Sequence, residues 1–583
     1  MARILFATEH DTLNHFHSLS KSKEDVVVFA FWLSKEAARS IAPNGTREVM
    51  RLNDTVGDYS AHVEKAYLLA HSIAETSPLY RGVKPILTLE ESLADAFLRC
   101  LMIGDIHKAL VQRYGGGSQV VFLTESESQN AFSVFNSWRG APFRISVLEK
   151  SQGGIWRKAR RIRALANVVH EAKQESDWAK IISAPLEVVD DRYKLRSAIW
   201  PEASVKKGGR WFYGSFVNSI RILHRYLANF KGESSWVINR FPAARGLKPG
   251  DHWHYLWQFG KPAPRVDHER FLQEARKYLG TLPSETNGFP MGVFTTSSVF
   301  MSYFFKRLLP LVLAEADLMH AFLERSSPQE LWVANQWGSE GGLVQVARKL
   351  GIPVTQVQHG ALHRYYPVAS IHTNRFFVWG QFWKDRLKGS GEGKAEVFNP
   401  GLDVLPVERK RQSAGKKQIT VLTTPIHEIM FWHPDTILRE VSALVKDLLN
   451  NGYAVLMRLH PGDQITPWRR ALEAATGSSS PEVRFSKEEP LASILQETDL
   501  AIMFFSTVFI NCIASGIPVI GLGWYPHIWQ GPLKQSGVVH FASSVAEVVE
   551  FANRLLQQPR NIMGTEQFLA TRSFESSVPI SQS

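Results

Sequence analysis

Cysteine is almost absent from this chain. Only Cys100 and Cys512 occur among its 583 residues, and each lies in an apolar stretch. Such a pair provides neither a disulfide framework nor a metal-ligand pattern, which favours a reducing compartment. We expect both thiols to be buried.

Long apolar runs are missing as well. No window approaches the roughly 18 uninterrupted apolar residues that a spanning helix needs, so the sequence predicts no membrane span. The opening segment, Met1-Ala-Arg-Ile-Leu-Phe-Ala-Thr, is a short first strand without the apolar core and cleavage site of a signal peptide. We therefore expect a cytoplasmic protein.

The chain carries an excess of positive charge, with a formal net charge of +12. This suits an anionic partner, and nucleic acid, anionic lipid and an acidic saccharide or nucleotide all qualify. The segment 150–175 is basic and amphipathic, with Trp156 beside an Arg cluster at 157–163. It is either a surface for anionic membrane or a solvated helix face with a packed Trp. Because no recognition motif surrounds the cluster, we expect no nucleic acid partner.

The clearest pattern lies between Tyr453 and Gly523. An apolar run ends at His460-Pro461, and a second run, 500–504, ends at Ser506-Thr507 before another apolar segment. Strand, loop and helix alternate in this way in parallel sheets, whose ligands bind outside the carboxyl ends of the strands. The sequence therefore predicts that both polar breaks lie at the ligand-binding edge of one sheet.

The residues at these breaks suit a phosphate. His460 directly follows a strand, while Ser506 and Thr507 open a helix and offer hydroxyl and backbone N–H donors. Each residue alone also fits a structural role, as a loop residue or as an N-cap. Their position in neighbouring units of one sheet favours the phosphate interpretation.

The α/β rhythm extends over most of the chain. The sequence predicts strands at 3–7, 26–31 and 120–123, with helices at 60–77 and 88–113. Helices are predicted near 214–230, 266–280 and 297–324, in an elaboration covering about 150–325. The predicted divisions are an N-terminal α/β domain at 1–403, a linker at 404–418, a C-terminal α/β domain at 419–560 and a tail at 561–583.

Five short motifs together carry a family resemblance. They are, in chain order, Gln358-His359-Gly360, Trp379-Gly380, Asn399-Pro-Gly-Leu-Asp403, His460-Pro461 and Ser506-Thr507. In this order they resemble the GT-B glycosyltransferases of bacterial surface-polysaccharide assembly, which include Kdo transferases, sialyltransferases and CDP-glycerol transferases. The resemblance implies an α/β fold of two Rossmann-like parallel-sheet domains facing a central cleft, with a largely helical elaboration of the first. It makes 1–403 the acceptor-side domain and 419–560 the nucleotide-sugar-binding domain.

The resemblance also implies roles for residues. His460 and Pro461, with Ser506 and Thr507, match the motifs that hold the CMP of the donor in the CMP-sugar members. The CDP-glycerol transferases imply His359 as the catalytic base. The sialyltransferases imply an acid, for which Glu340, in a partial match to their acidic motif, is the candidate. Both alternatives stay open.

The implied function is transfer of an acidic sugar, Kdo or a sialic-type sugar, from a CMP-activated donor to a bacterial surface glycan. No Asp-x-Asp occurs in a strand-end loop, so we expect no metal ion and no further cofactor. Residues 508–516 contain no acid that could hold a ribose, so the resemblance favours a CMP- or CDP-linked donor. The expected partners are a nucleotide sugar, a glycan or lipid-linked glycan acceptor and, through 150–175, the inner face of the cytoplasmic membrane. A CDP-polyol phosphotransferase and a non-catalytic glycan- or nucleotide-binding protein are the alternatives.

Overall fold

The structure is a computed structural model of the whole chain. It describes residues 2–8, 25–122, 127–140, 142–147, 205, 207–214, 217–227, 234–239, 252–335, 338–358, 373–387, 394–397, 415–424, 431–460, 462–478, 482–504, 506–527 and 530–557. His359, Pro461, the basic segment 150–175 and most of the predicted linker lie outside these residues.

The first sheet has five parallel strands in the order β3-β2-β1-β4-β5. The strands are β1 Arg3–Ala7, β2 Asp25–Phe29, β3 Glu48–Arg51, β4 Gln119–Phe122 and β5 Arg144–Val147. The helices of this part of the chain are α1 Lys35–Ile41, α2 Leu52–Thr55, α3 Tyr59–Glu75, α4 Pro85–Thr88, α5 Glu90–Tyr114 and α6 Glu127–Trp138. The apolar residues of β1 and β2 are fully buried on both faces, as expected for a sheet covered on both sides.

The second sheet has seven parallel strands in the order β12-β11-β10-β9-β6-β7-β8. The strands are β6 Arg210–Gly214, β7 Ser234–Ile238, β8 His252–Tyr255, β9 Glu330–Val333, β10 Val354–Val357, β11 Arg375–Val378 and β12 Lys394–Val397. The helices are α7 Val217–Leu227, a 3₁₀ turn Leu256–Gln258, α8 Arg265–Gly280, α9 Met291–Ser297, α10 Val299–Tyr303, a π-helical turn Phe304–Leu308, α11 Leu309–Ser326, α12 Gly338–Lys349 and α13 Gln381–Arg386.

The third sheet has six parallel strands in the order β15-β14-β13-β16-β17-β18. The strands are β13 Gln418–Leu422, β14 Ala454–Arg458, β15 Val483–Ser486, β16 Leu500–Met503, β17 Val519–Leu522 and β18 Val539–Ala542. The helices are α14 Pro434–Asn450, α15 Ile465–Thr476, α16 Leu491–Glu497, α17 Val508–Ala514, α18 Gln530–Ser536 and α19 Val545–Gln557.

All three sheets share one strand order. Numbered along the chain within each sheet, the strands lie in the order 3-2-1-4-5, with further strands added after the fifth. This is the order of doubly wound sheets, in which the chain reverses direction across the sheet between strands 1 and 4. The predicted α/β class with parallel Rossmann-like sheets is confirmed, but the described residues contain three such sheets where the sequence analysis expected two.

The additional sheet arises where the sequence analysis expected mainly helices. The helices predicted near 214–230 and 266–280 are present as α7 and α8, and the one near 297–324 is present in pieces from α9 to α11. The strands β6, β7 and β8 were missed because they are only four or five residues long and mix polar with aromatic residues. Aromatic residues favour strands, so Trp211-Phe-Tyr213 was the available signal.

The chain divides into two compact units. One takes the described parts of Met1–Val63, Arg99–Lys150 and Gly401–Leu569, and therefore holds the five-stranded and six-stranded sheets. The other takes the described parts of Glu64–Leu98 and Ser151–Pro400, and holds the seven-stranded sheet.

Glu440 joins the five-stranded and six-stranded sheets within their unit. Its buried carboxylate, on α14, accepts the Ser34 N–H at 2.9 Å from the loop after β2, and it also accepts the Tyr525 hydroxyl from the loop after β17. Nearby, Asn53 accepts the Leu33 N–H at 3.1 Å and donates to the Trp524 carbonyl at 3.0 Å. Two strand-end loops are thus fixed to one helix.

In the other unit, the buried side chain of Asp317 likewise connects separate segments of the chain. Its side chain on α11 is only 1% exposed. It accepts the Tyr80 hydroxyl at 2.9 Å, the Ala263 N–H at 2.7 Å and His268 Nε2 at 2.9 Å. Because these donors come from two separate stretches, one carboxylate connects the segment around Tyr80 and the start of α8 to α11.

Both cysteines are buried, as expected from the sequence. Burial raises the pKa of Cys100 and of Cys512 to about 12. Among the described residues no single helix has the length and apolar character to cross a membrane. One pair, Met291–Ser297 with Val299–Ser326, meets that test together but is bent by 52°.

We predict that Asp317→Ala lowers the free energy of unfolding by about 3–5 kcal/mol, because it leaves several buried donors without their acceptor. Denaturant unfolding of the purified protein measures this. Glu324→Ala, an exposed position on the same helix, is the control and should change stability by less than about 0.5 kcal/mol. Equal effects of the two substitutions would contradict the role given to Asp317.

We also predict that Glu440→Gln changes the pH dependence of stability. Burial raises the pKa of Glu440, and the hydrogen bonds from Ser34 and Tyr525 offset only part of that rise. The folded state therefore binds the proton more tightly than the unfolded state, so stability falls as pH rises from the ordinary Glu pKa, about 4.3, to the raised folded value.

The Gln variant has no titratable group at this position, so its stability does not decrease in this way as pH rises. Its stability relative to the native protein should increase as pH rises above about 4 in denaturant unfolding. Glu550→Gln, an exposed substitution on α19, is the control. Parallel stability curves for Glu440→Gln and the native protein would show that this carboxyl group contributes no pH dependence.

Candidate functional site

The candidate site is the carboxyl edge of the six-stranded sheet. β13 and β16 are neighbours there and occupy positions 1 and 4, where the order of strands reverses. Ligands of doubly wound sheets bind in the crevice at this reversal. The residues that directly follow its strands are Thr423 after β13, Leu459 and His460 after β14, Lys487 after β15 and Gly523 after β17, with Ser506 three residues beyond β16.

Thr423 connects the loops after β13 and β14. Its Oγ1 donates to Asp463 Oδ2 at 2.5 Å and accepts the His460 N–H at 2.8 Å. Its own N–H donates to the Arg458 carbonyl at 3.0 Å, which continues the pairing of the two strands. Thr423 and Asp463 are both buried. The backbone of His460 is therefore held by the neighbouring strand.

The ring of His460 is held by its own loop. The Gly462 N–H donates to His460 Nδ1 at 3.1 Å, and the Asp463 N–H donates to the His460 carbonyl at 2.9 Å. A neutral imidazole that accepts at Nδ1 carries its proton on Nε2. The loop thus fixes the tautomer in which Nε2 is the hydrogen-bond donor.

Positive charge lies on the adjacent strand end. Lys487 follows β15, and its Nζ donates to the Asp463 carbonyl at 2.9 Å. Arg458, the last residue of β14, donates to Ser486 Oγ at 2.9 Å. Burial lowers the pKa of Arg458, but an arginine remains charged at neutral pH. Two cations and the His460 loop therefore share one edge of the sheet, a set suited to an anion.

Ser506 lies at the start of α17 as the sequence predicts. Its Oγ accepts the Val508 N–H at 3.3 Å, and its carbonyl accepts the Phe509 N–H at 3.1 Å. Thr507 follows it and immediately precedes the helix. A hydroxyl that accepts from the backbone keeps its own proton to donate, so Ser506 combines a capping contact with a donor for a ligand.

Glu340 lies in the seven-stranded sheet's unit, in the first turn of α12. It is 1% exposed, and its Oε1 accepts the Ser219 hydroxyl of α7 at 3.2 Å. α7 follows β6 and α12 follows β9, the two strands at which the order of this sheet reverses. A general base must reach the proton that it removes. Glu340 is covered in this structure, so its role as base stays a prediction, as does that of His359, which lies outside the described residues.

Three residues of the strand-end cluster were not found from the sequence. Thr423 and Asp463 were identifiable in principle, because each is a polar residue in a loop after an apolar strand. Lys487 gave no such signal, since β15 reads Val-Arg-Phe-Ser and lacks an apolar run. Among the described residues, no group of three or more His, Cys, Asp or Glu is placed to hold a metal ion.

Comparisons with known proteins give a general likeness of fold. No protein-family model matches the sequence, and no curated protein matches it. Among solved structures, the chain is similar to the S. aureus MnaA–UDP complex, with 11% identity, a TM-score of 0.38, and coverage of 62% of this chain and 91% of that one.

Two further solved structures show a similar likeness. One is the UDP-GlcNAc 2-epimerase of Methanocaldococcus jannaschii in complex with UDP-GlcNAc and UDP, with 11% identity, a TM-score of 0.38 and coverage of 61% and 94%. The other is MurG of Acinetobacter baumannii, with 12% identity, a TM-score of 0.35 and coverage of 61% and 96%.

We predict that His460→Ala and Lys487→Gln each weaken the binding of a phosphate-containing ligand by about tenfold, the effect of one lost hydrogen bond to a charged group. Both residues lie at strand ends rather than in the core, so circular dichroism should show an unchanged fold. Isothermal titration with nucleoside monophosphates measures the affinity. Lys446→Gln, at an exposed site on α14, is the matched control. Unchanged affinity in both test variants would contradict an anion site at this edge.

Proposed function

We propose that the chain is a GT-B-type glycosyltransferase that moves an acidic sugar, Kdo or a sialic-type sugar, from a CMP-activated donor to a bacterial surface glycan. The single observation that carries the proposal is the cluster of hydrogen-bond donors and cations at the carboxyl edge of the six-stranded sheet. The cluster lies at the carboxyl edge of a doubly wound sheet, the edge at which such sheets bind their ligands, and this supports the proposal.

The donor phosphate is the group that fits this cluster. In our proposal His460 Nε2, the Ser506 hydroxyl and Lys487 meet the phosphate oxygens. The tautomer of His460 is set by the Gly462 N–H at 3.1 Å, so this donor is oriented before any ligand binds. Oriented donors stabilise charge that develops on a leaving phosphate without further reorganisation. The leaving group therefore needs no metal ion in this proposal.

The preference for CMP rests on the helix after β16. α17 runs from Val508 to Ala514 and consists of Val-Phe-Ile-Asn-Cys-Ile-Ala, most of which is buried. It offers no carboxylate to the diol of a ribose. A donor held mainly through one phosphate and through loop backbone suits CMP better than a nucleoside diphosphate.

Acceptor activation completes the proposed reaction. The acceptor hydroxyl must lose a proton as the glycosidic bond forms, and the C–O bond to the CMP phosphate breaks with its electron pair leaving on CMP. We propose His359 as the base, with Glu340 as the alternative. The reaction would take place in the cytoplasm, at the inner face of the membrane where lipid-linked glycan acceptors are exposed.

We predict that CMP binds more tightly than UMP, UDP or GDP and that EDTA leaves its binding unchanged. The double substitution Ser506→Ala with Thr507→Ala should weaken CMP binding by about tenfold or more. Titration calorimetry with the four nucleotides measures this. Ser493→Ala, an exposed hydroxyl on α16, is the control. Tight UDP binding with no response to CMP would exclude a CMP-sugar donor. CDP is titrated as a fifth nucleotide, and tightest binding of CDP would favour the CDP-polyol phosphotransferase.

A further inference from the structure

One exposed helical face in the unit of the seven-stranded sheet has no part in nucleotide binding. It consists of Val299, Ser302, Tyr303, Lys306 and Arg307, and we call it the 299–307 face. Their spacing of three and four residues places them on one side of α10 and the π-helical turn. All five are exposed, with Val299 at 54% and Tyr303 at 52%. Single exposed apolar side chains are ordinary on a protein surface, but here two lie one turn apart on the same helical face as two basic side chains.

The opposite side of this segment packs into the core. Met301 is 4% exposed, and Phe304 and Leu309 are fully buried. The segment is therefore anchored, and the outward position of Val299 and Tyr303 is fixed rather than incidental. Phe300 and Phe305, on the flanks, are half-buried and extend the apolar surface.

The charge of the region is positive. From Thr286 to Ala314 the sequence contains no acid, and its basic residues are Lys306 and Arg307. The Arg276 guanidinium of α8 lies 4.9 Å from the centre of the Phe305 ring, which adds one exposed basic residue beside the face. Lys277, the next residue of α8, is also exposed. The exposed acids of α8 are Glu269, which pairs with Arg265 at 2.8 Å, and Glu274.

We propose that the 299–307 face is a docking surface for an anionic phospholipid bilayer. Apolar and tyrosine side chains enter the region between headgroups and acyl chains, while lysine and arginine bind the anionic headgroups. The chain lies on the bilayer rather than spanning it. α11, the apolar helix that follows, is buried within its own unit along Val312, Leu313, Leu318 and Phe322 and cannot enter lipid.

A bilayer fits this face better than a second copy of the chain does. A two-fold contact would bring each residue of the face near its counterpart, and Lys306 and Arg307 of both copies would repel each other. A stable protein interface also buries about 800 Å² on each side around an aromatic core, whereas this face offers two exposed apolar side chains within a basic border. The inference does not depend on the proposed nucleotide or sugar.

The test is flotation of the full-length protein with phosphatidylcholine vesicles that either contain or lack phosphatidylglycerol, at low and at high salt. We expect binding only to vesicles that contain phosphatidylglycerol, and release at high salt because salt screens the headgroup charge. Val299→Ser with Tyr303→Ser, and separately Lys306→Gln with Arg307→Gln, should each reduce the binding constant by roughly tenfold or more.

Matched controls carry the same changes elsewhere on the surface. Leu79→Ser with Leu350→Ser removes two other exposed leucines, and Lys108→Gln with Lys446→Gln removes two other exposed lysines. Both should bind vesicles within about twofold of the native protein. Charge reversal at Arg157, Arg160 and Arg161 separates the contribution of the basic segment 150–175.

Three results would overturn the proposal. The native protein fails to bind anionic vesicles at low salt, or both variants of the face bind as tightly as the native protein. Alternatively, sedimentation shows a self-association that the face variants abolish while vesicle binding persists, which would assign the face to a second copy of the chain.

Discussion

The hydroxyl of Thr423 is the contact on which the candidate site most depends. It donates to Asp463 and accepts from the backbone of His460, so the end of one strand determines the position of the loop after the next. Two other features of the edge adjoin this pair of bonds: the Gly462 N–H sets the His460 tautomer in the same loop, and Lys487 donates to the Asp463 carbonyl. A buried hydroxyl that satisfies two partners costs little in free energy, whereas its loss removes one hydrogen bond from a buried carboxylate and one from a backbone N–H.

The sequence predicted the parts of the fold that have strong periodicity. β14, β16 and β17 are buried apolar runs that end at polar or glycine residues, and the phosphate candidates His460 and Ser506 follow directly from that pattern. Short strands could not be predicted from periodicity. Four residues such as His252-Trp-His-Tyr255 are held in the sheet by pairing with β7 rather than by local preference. Lys487 was missed for the same reason, since its place at the site results from the pairing of β14 with β15. Tertiary pairing of this kind is not encoded in any local window of sequence.

The three sheets share one strand order but differ in the side chains at the ends of their strands. Each is parallel and reverses its order between its first and fourth strands, so each has one crevice by construction. In the six-stranded sheet that edge carries donors and cations. In the seven-stranded sheet the corresponding position holds Glu340, which is buried and bonded to Ser219. The strand order therefore determines where a site can lie, and the side chains at the strand ends determine whether one is formed.

The burial of both cysteines has a practical consequence for spectroscopy. Thiol reagents react with the thiolate, and Cys100 and Cys512 keep their protons far above neutral pH inside apolar surroundings. A cysteine introduced at an exposed position such as Ser302 or Ser493 would therefore react selectively with a maleimide dye or a spin label, without prior removal of native thiols. The natural sequence is already a background for single-site labelling, so distances between chosen points on this chain can be followed in solution.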